Sequence, residues 1–204
     1  MSTVDEGTHR ALTIPAHIVA DPAPLGLAAF AMTTLALSLG NANVWPAGAT
    51  AALGLALVYG GFAQLLAGMW EFARKNTFGA IAFTSYGAFW ISYYVLGHFL
   101  LGSLTPAEAG QAVGVFLLGW TILTFYLMIA ALRVNLAVLA VFVALDITFV
   151  LLTIGAFEAN THVNKVGGWV GVATAAFAFY ASGAGVINDT FKKPLLPVFP
   201  LAKG

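Results

Sequence analysis

The chain has 204 residues, of which 60% are hydrophobic and 8% are charged, and its formal net charge is zero. So few charges cannot cover a water-facing surface, which excludes a soluble domain, and a neutral chain offers no basic face for nucleic acid. Cysteine is absent, which excludes disulfides and thiolate metal sites. The composition therefore predicts a single integral membrane domain in a lipid bilayer.

The first twenty residues are more polar than the remainder of the chain. They include Asp5, Glu6 and Arg10, and they lack the apolar core and cleavage site of a secretory signal. The chain is therefore expected to divide into a cytoplasmic N-terminal segment, a transmembrane domain and a cytoplasmic tail, at residues 1–20, 21–190 and 191–204.

A membrane-spanning helix needs about 20 predominantly apolar residues. The chain holds six such segments, separated by Asn, Pro, Gly and charged residues. The sequence therefore predicts an all-α membrane fold of six transmembrane helices, with loops too short to hold an enzyme. The predicted helices cover residues 25–41, 50–70, 78–101, 108–132, 136–157 and 168–187.

The cationic residues divide unequally between the two ends of such a bundle. With six spans, one end holds Lys165 alone, and the other end holds Arg10, Arg74, Lys75, Arg133, Lys192, Lys193 and Lys203. Cationic loops tend to stay in the cytoplasm. Both termini are therefore predicted to be cytoplasmic.

Several short motifs follow one another along the chain in a characteristic order. The first is Asp21-Pro22-Ala23-Pro24-Leu25-Gly26-Leu27, and the next are Tyr59-Gly60-Gly61, Gln64, Ala67-Gly68, Glu71, Asn76-Thr77-Phe78-Gly79, Phe83-Thr84-Ser85-Tyr86-Gly87 and Phe89-Trp90. The later segments Gly168-Trp169-Val170-Gly171, Asn188-Asp189 and Leu196-Pro197 extend the series. In this order the motifs resemble the acetate uptake transporter family, the succinate-acetate permeases, whose first signature begins with Asn where this chain has Asp21. The resemblance implies a transporter rather than an enzyme.

The resemblance places a hydrophobic constriction inside each subunit, at Phe30, Tyr86 and Leu145. An apolar ring excludes water and ions when it is closed, and the Tyr86 hydroxyl can orient a carboxylate through one hydrogen bond. The alternative role for the three side chains is ordinary core packing. The resemblance also associates Ala178 with substrate choice.

The resemblance further implies ring-like homo-hexamers with a pore in each protomer. Small residues at four-residue spacing predict close helix contacts, at Gly110 with Gly114 and at Gly167 with Gly171. These contacts are compatible with packing either within a subunit or between subunits.

Two helix N-termini carry candidate substrate-binding residues. Asp21 precedes the first helix, and Asn76 and Thr77 precede the third. Short polar side chains cap helices, and the free amides of a helix N-terminus also attract anions. Capping and substrate binding are both open for these residues, but an ionised Asp21 repels an anion unless it is protonated or points away.

Hydroxyl and amide side chains near the constriction are further substrate-binding candidates. Thr33, Thr34, Thr84 and Ser85 can replace part of the hydration shell of a carboxylate, or they can bond to a carbonyl one turn earlier. Gln64 shares a helix face with Glu71 and can bind a carboxylate or a neighbouring helix. A pair with Arg74 is the structural role expected for Glu71.

Three residues are candidates for proton coupling, namely Asp146, Glu71 and His98. Asp146 lies inside the fifth helix, where an ionised carboxylate is costly unless it is paired or hydrated. The alternative role for Asp146 is structural, in which its carboxyl group hydrogen-bonds to Thr148, a serine or Asn135 and links helices. His9, His17 and His162, the last expected in an external loop, are too scattered for a metal site, so no metal or other cofactor is expected.

The sequence predicts transport of acetate and related short carboxylates such as succinate across the inner (plasma) membrane. Proton symport and an anion channel are both open as mechanisms. Two alternatives are an ammonium-linked transporter within the same resemblance and a sensor or scaffold without flux, which Asp21 favours.

Overall fold

The computed structural model describes residues 19–201, which form a bundle of six long helices. The helices are α1 (Ala23–Asn41), α2 (Gly48–Ala73), α3 (Thr77–Val95), α4 (Pro106–Ala131), α5 (Leu136–Phe157) and α6 (Thr161–Phe191). A π-helical turn (Leu96–Leu100) and a 3-10 turn (Leu101–Ser103) extend α3. The all-α fold predicted from the sequence is confirmed.

The observed bounds agree with the predicted ones for α5, which covers residues 136–157 in both. The largest disagreement is α6, which begins at Thr161 rather than at residue 168 and ends at Phe191 rather than at residue 187. The prediction of a loop around His162 was therefore wrong. Asn160 caps α6 by accepting hydrogen bonds from the amides of His162 and Val163, so the helix starts before the apolar run begins.

Within the described residues, five helices are long and apolar enough to cross a membrane: α1, α2, α4, α5 and α6. The remaining helix, α3, carries Thr84, Ser85 and Tyr86 in succession and several further aromatic residues. Polar side chains in the middle of a long helix are typical of a helix that faces protein or a water-filled path rather than lipid.

The two ends of the described chain lie at the same end of the bundle. The hydroxyl of Ser182 on α6 donates a hydrogen bond of 2.7 Å to the carbonyl of Pro24 on α1, and Gly185 lies against the Pro24 ring. We call this end of the bundle the terminal end and the other the distal end.

Small residues bring neighbouring helices into close contact, as predicted from their spacing. Gly110 and Gly114 on α4 face Ala156 and Phe157 at the end of α5. On α6, Gly167 faces Leu151 and Leu152 on α5, and Gly171 faces Ser38 near the end of α1. These contacts lie within one protomer.

The segment after α6 folds back across the terminal end instead of leaving the bundle. The amides of Leu136 and Ala137 donate to the carbonyls of Phe199 and Val198, at 2.9 and 3.3 Å. The Tyr180 hydroxyl donates to the carbonyl of Pro197. The returning segment thus takes up backbone donors at the start of α5 that no helical carbonyl can satisfy.

The Tyr59-Gly60-Gly61 motif lies in a π-helical segment of α2, Val58–Ala63. A Cβ on Gly60 would lie 2.5 Å from the Thr33 hydroxyl on α1. The glycine therefore permits α1 and α2 to approach at this point.

We expect Gly60→Ala to destabilise the protein by about 1–3 kcal/mol, because a methyl group has no room between α1 and α2. Gly54→Ala on the same helix is the matched control, since a Cβ there meets no atom within 4 Å. The control should be neutral or stabilising by up to about 1 kcal/mol. Thermal unfolding of both variants in detergent measures the difference, and equal melting temperatures would contradict the close-contact role of Gly60.

Candidate functional site

A cavity of about 520 Å³ opens near the terminal end of the bundle, and we call it the terminal cavity. Polar residues from the helix ends lie around its mouth, namely Asp21, Arg74, Asn76, Asn135 and Asn188. Its inner part is lined mainly by apolar side chains. Since Phe30, Tyr86 and Leu145 lie seven to nine residues inside their helices, the cavity reaches about 10–14 Å into the bundle.

The three residues predicted to form a constriction meet in the inner part of this cavity. Phe30, Tyr86 and Leu145 are each at most 4% exposed and belong to one apolar cluster. The ring centroids of Phe30 and Tyr86 are 5.7 Å apart, and those of Tyr86 and Phe142 are 6.1 Å apart. The geometry therefore forms an apolar closure from α1, α3 and α5.

A second cavity, of about 620 Å³, lies toward the distal end, and we call it the distal cavity. Asn41, Asn164 and Lys165 supply polar atoms to its lining, and Phe89 and Phe149 line its apolar part. The Phe89 ring contacts Phe149 and Trp120, with centroid separations of 5.5 and 5.1 Å.

One layer of aromatic rings separates the two cavities. Trp120 connects its two sides, because its ring lies 6.4 Å from Tyr86 and 5.1 Å from Phe89. Sequence reasoning missed Trp120, Phe142 and Phe149 as parts of this layer. The sequence held a weak signal for two of them. Phe142 lies three residues before Leu145 on α5 and Phe149 lies four residues after it, so both share the helix face of Leu145.

The hydroxyl group of Tyr86 points toward α4. It lies 2.8 Å from the hydroxyl of Thr124, which donates to the carbonyl of Trp120 at 2.7 Å. Thr124 is fully buried, and its part in the site was also missed by sequence reasoning.

Asp21 and Arg74 form an ion pair at the mouth of the terminal cavity, with 2.5 Å between Asp21 Oδ1 and Arg74 Nη1. The Asp21 carboxylate also accepts a hydrogen bond from the amide of Ala23, at 3.1 Å. Asp21 therefore binds one free amide at the start of α1, although the N-cap position of that helix is Pro22 rather than Asp21, and its charge is neutralised by a cation. The predicted pair between Glu71 and Arg74 was wrong, because Arg74 turns toward α1 while Glu71 turns toward α3.

Glu71 instead accepts a hydrogen bond of 2.9 Å from the side chain of Asn76. Asn76 in turn caps α3 by accepting from the amide of Gly79 at 3.2 Å. Thr77 is the exposed first residue of α3 and does not line the terminal cavity.

Two polar side chains on α2 are buried while lining the terminal cavity. Gln64 is 1% exposed and Glu71 is fully buried. One side-chain oxygen of each has no hydrogen-bond partner. Buried polar atoms normally have partners, so these two oxygens can accept a hydrogen bond from a donor inside the cavity.

The hydroxyl candidates predicted near the constriction line neither of the two cavities. Thr33 donates to the carbonyl of Ala29 at 2.9 Å, which is the one-turn bond of a structural threonine. Thr84 faces Gly68 on α2. Thr34, Ser85 and the fully buried Ala178 also lie outside the two linings.

Of the three proton-coupling candidates, Glu71 lines the terminal cavity, and Asp146 and His98 line neither of the two cavities described above. The buried Oδ1 of Asp146 has no hydrogen-bond partner. The predicted bonds to Thr148 and Asn135 are absent, because Thr148 donates to Ala144 and Asn135 caps α5. His98 is exposed and stacks on Tyr94 near the distal end.

Within residues 19–201, no cluster of three His, Cys, Asp or Glu side chains could hold a metal ion. His9 and His17, which the sequence analysis considered, lie outside the described residues.

Comparisons with known proteins agree on a membrane transport family. The model of the GPR1/FUN34/yaaH family matches residues 5–203. The chain is 39% identical over 196 residues to ammonia transport outward protein 2 of Saccharomyces cerevisiae, covering 92% of this chain and 68% of that protein. It is 36% identical over 180 residues to the succinate-acetate/proton symporter SatP of Escherichia coli, and the match covers 88% of this chain and 95% of that protein. A solved structure of the bacterial acetate channel SatP is similar, with a TM-score of 0.82, 36% identity and coverage of 88% of this chain and 99% of that one.

We expect Asn76→Ala to destabilise the protein more than Asn160→Ala does. Both substitutions remove an N-cap, which costs about 1 kcal/mol, but only the first also removes the donor to the buried Glu71 carboxyl group, which adds about 1–3 kcal/mol. Thermal unfolding in detergent measures both effects. Equal losses in the two variants would show that the Asn76 bond to Glu71 contributes nothing.

Proposed function

Because the chain belongs to the GPR1/FUN34/yaaH family, we propose that it moves acetate, and related short carboxylates such as succinate, across a membrane. The observation that carries this proposal is the pair of cavities separated by one aromatic layer within a single protomer. Two cavities with apolar rings between them are the arrangement expected of a path in its closed state, which supports the proposal.

The size and lining of the terminal cavity fit a small, partly apolar solute. A carboxyl group has an ordinary pKa of about 4, so a short acid is mostly an anion at neutral pH and crosses lipid poorly in that form. Gln64 offers amide hydrogen-bonding groups inside the cavity, and the apolar side chains of Phe30 and Leu145 accommodate a methyl group. We propose these residues and Tyr86 as the substrate path.

The protein is a multi-pass membrane protein with helical spans. Our further proposals are the cell membrane as its location, both termini in the cytoplasm, and a homo-hexamer with one path in each protomer. Arg74, Arg133 and Lys192 at the terminal end support this orientation. The relatives named above are transporters or channels, and we propose no catalytic activity.

We propose Glu71 as the residue that exchanges protons with the substrate. Its carboxyl group is buried at the cavity, and one oxygen has no hydrogen-bond partner. Asn76 holds the other oxygen in place. A proton held at Glu71 Oε1 is therefore within the compartment that a carboxylate enters from the terminal end.

Ammonium transport is a second candidate, favoured by the name of the yeast relative. The two functions differ in the charge of the solute, so one assay separates them. Purified protein in liposomes is given labelled acetate or labelled methylammonium, with a pH gradient and a correction for protein-free leak. Saturable acetate uptake supports the carboxylate function, and saturable methylammonium uptake alone supports the ammonium function. Acetate binding without uptake of either solute would instead identify a sensor or scaffold.

We expect Leu145→Ala to widen the acceptance of longer acids. Removing three carbons from the constriction makes room for a longer alkyl chain, and the ratio of butyrate to acetate uptake should rise roughly tenfold. Ile147→Ala is the matched control, since Ile147 lies on the same helix but is 47% exposed and lines neither cavity. If the ratio of butyrate to acetate uptake is unchanged in both variants, Leu145 does not line the substrate path.

We expect Glu71→Gln to lower acetate uptake several-fold at pH 7 and much less at pH 5. The amide keeps the bond from Asn76 but cannot carry a proton, and at pH 5 a larger share of acetate is already protonated. Asp146→Asn should retain the wild-type pH profile, because Asp146 lines neither cavity. A pH-independent loss in Glu71→Gln would reduce Glu71 to a packing role.

A further inference from the structure

We propose that Thr124 is a positioning residue that fixes the direction of the Tyr86 hydroxyl proton, so that the constriction passes a carboxylic acid in its protonated, neutral form. This inference rests on the proposed function and names the species that the same path carries. It is derived from the hydrogen bonds of two hydroxyl groups in the aromatic layer.

Each of the two hydroxyl groups has one proton to donate. Thr124 donates its proton to the Trp120 carbonyl at 2.7 Å, one helical turn earlier. With the Thr124 proton in that bond, we assign the Tyr86 hydroxyl, 2.8 Å from Thr124 Oγ1, as the donor between the two groups. Thr124 is fully buried and Tyr86 is 3% exposed, so water does not replace either bond.

The Tyr86 hydroxyl proton is consequently bound to Thr124 and is not free to be donated to a solute at the constriction. Phe30, Phe142 and Leu145, which line the terminal cavity beside Tyr86, have no hydrogen-bond donor. Trp120 in the same aromatic layer has an indole N–H group, but it lines neither cavity. Two further acceptors without partners belong to the same lining, Gln64 Oε1 and Glu71 Oε1, and Glu71 lies nearer the mouth than Tyr86 does. The ionisable groups near enough to act on the Tyr86 hydroxyl are Asp146 on α5 and Tyr126 on α4, and neither is a cation.

A carboxylate anion and its acid meet this environment differently. The anion has only acceptor oxygens, and the proton of Tyr86 is already bound to Thr124. The acid has one O–H group, which can donate to Tyr86, and one carbonyl oxygen, which can accept from the Gln64 amide. The acid thus has a complementary partner for each group, and an oxygen facing an oxygen in an apolar layer is strongly unfavourable for the anion.

Passage of the neutral acid moves one proton with each carboxylate. The carboxylate binds the proton on the side of entry and releases it to water on the side of exit, so no net charge crosses the membrane. A membrane voltage at equal pH on both sides then exerts no force on the transported species.

The test measures uptake of labelled acetate into liposomes of the full-length protein, driven by an imposed voltage with equal pH on both sides. Four variants are compared with wild type: Thr124→Val, Thr124→Ser, Tyr86→Phe and Thr121→Val. Thr121 is the matched control, because it lies on the same helix, donates to the carbonyl of Leu117 at 2.9 Å, and contacts Thr153 rather than Tyr86. A pH-gradient arm on the same liposomes reports transport of the neutral acid, and elution as a single species in detergent confirms folding.

We expect wild type and Thr121→Val to show saturable pH-driven uptake and voltage-driven uptake at the protein-free level. Thr124→Val removes the acceptor and frees the Tyr86 proton to turn into the path, so voltage-driven uptake should rise several-fold. Thr124→Ser keeps both hydrogen bonds and should restore wild-type behaviour. Tyr86→Phe has no hydroxyl to turn, so its voltage-driven uptake should stay at the protein-free level.

Two results would overturn the inference while leaving the proposed function intact. One is voltage-driven acetate uptake by wild type, and the other is a Thr124→Val protein that transports like wild type. If the Thr124→Val protein fails to fold, the test rests on Thr124→Ser and Tyr86→Phe. Voltage-driven acetate uptake by either of these variants contradicts the role assigned to the hydroxyl pair. Absence of saturable acetate uptake in wild type under both driving forces would instead refute the proposed function and this inference with it.

Discussion

Close contact between α2 and α3 is the constraint on which the rest of the site depends. Gly68 lets Thr84 approach the backbone of α2, and Gly87 lets Leu65 approach the backbone of α3. The two helices therefore run antiparallel at a short distance, and Gln64 and Glu71 on one share a cavity with Tyr86 on the other. Because α3 carries Thr84, Ser85 and Tyr86, this contact also removes hydroxyl groups from lipid, where each would need a hydrogen-bond partner.

The sequence predicted the helices well because apolar length in a membrane protein is set by the thickness of the bilayer. It failed at the start of α6, where Asn160 begins the helix inside a polar segment that has the composition of a loop. A capping residue is a local sequence signal for the start of a helix, but a prediction based on hydrophobic segments alone does not detect it. The glycine motifs were informative in a different way, since they marked close contacts such as that of Gly60 with Thr33.

The candidate site was only partly predictable for a geometric reason. Helical spacing tells which residues share a face of their own helix, but not whether that face meets a cavity or another helix. Tyr86 and Thr84 lie two residues apart, yet Tyr86 lines the terminal cavity while Thr84 packs on Gly68. The partners of charged side chains were equally hidden, because Arg74 pairs across the bundle with Asp21 rather than with Glu71 on its own helix. Thr124 could not be found without the structure, since its role depends on the direction of a hydrogen bond between helices.

The ion pair of Asp21 with Arg74 has different consequences for an anion and for a neutral acid at the mouth of the terminal cavity. A positive potential at a cavity mouth multiplies the local concentration of an anion by a Boltzmann factor and divides the local concentration of protons by the same factor. The concentration of the neutral acid depends on the product of the two, so it does not change with the potential. An anion channel would lose local substrate when aspartate replaces the usual asparagine and neutralises Arg74, whereas a path for the acid is electrostatically indifferent to that exchange. The carboxylate at position 21 is therefore free to serve as a structural clamp between the start of α1 and the end of α2.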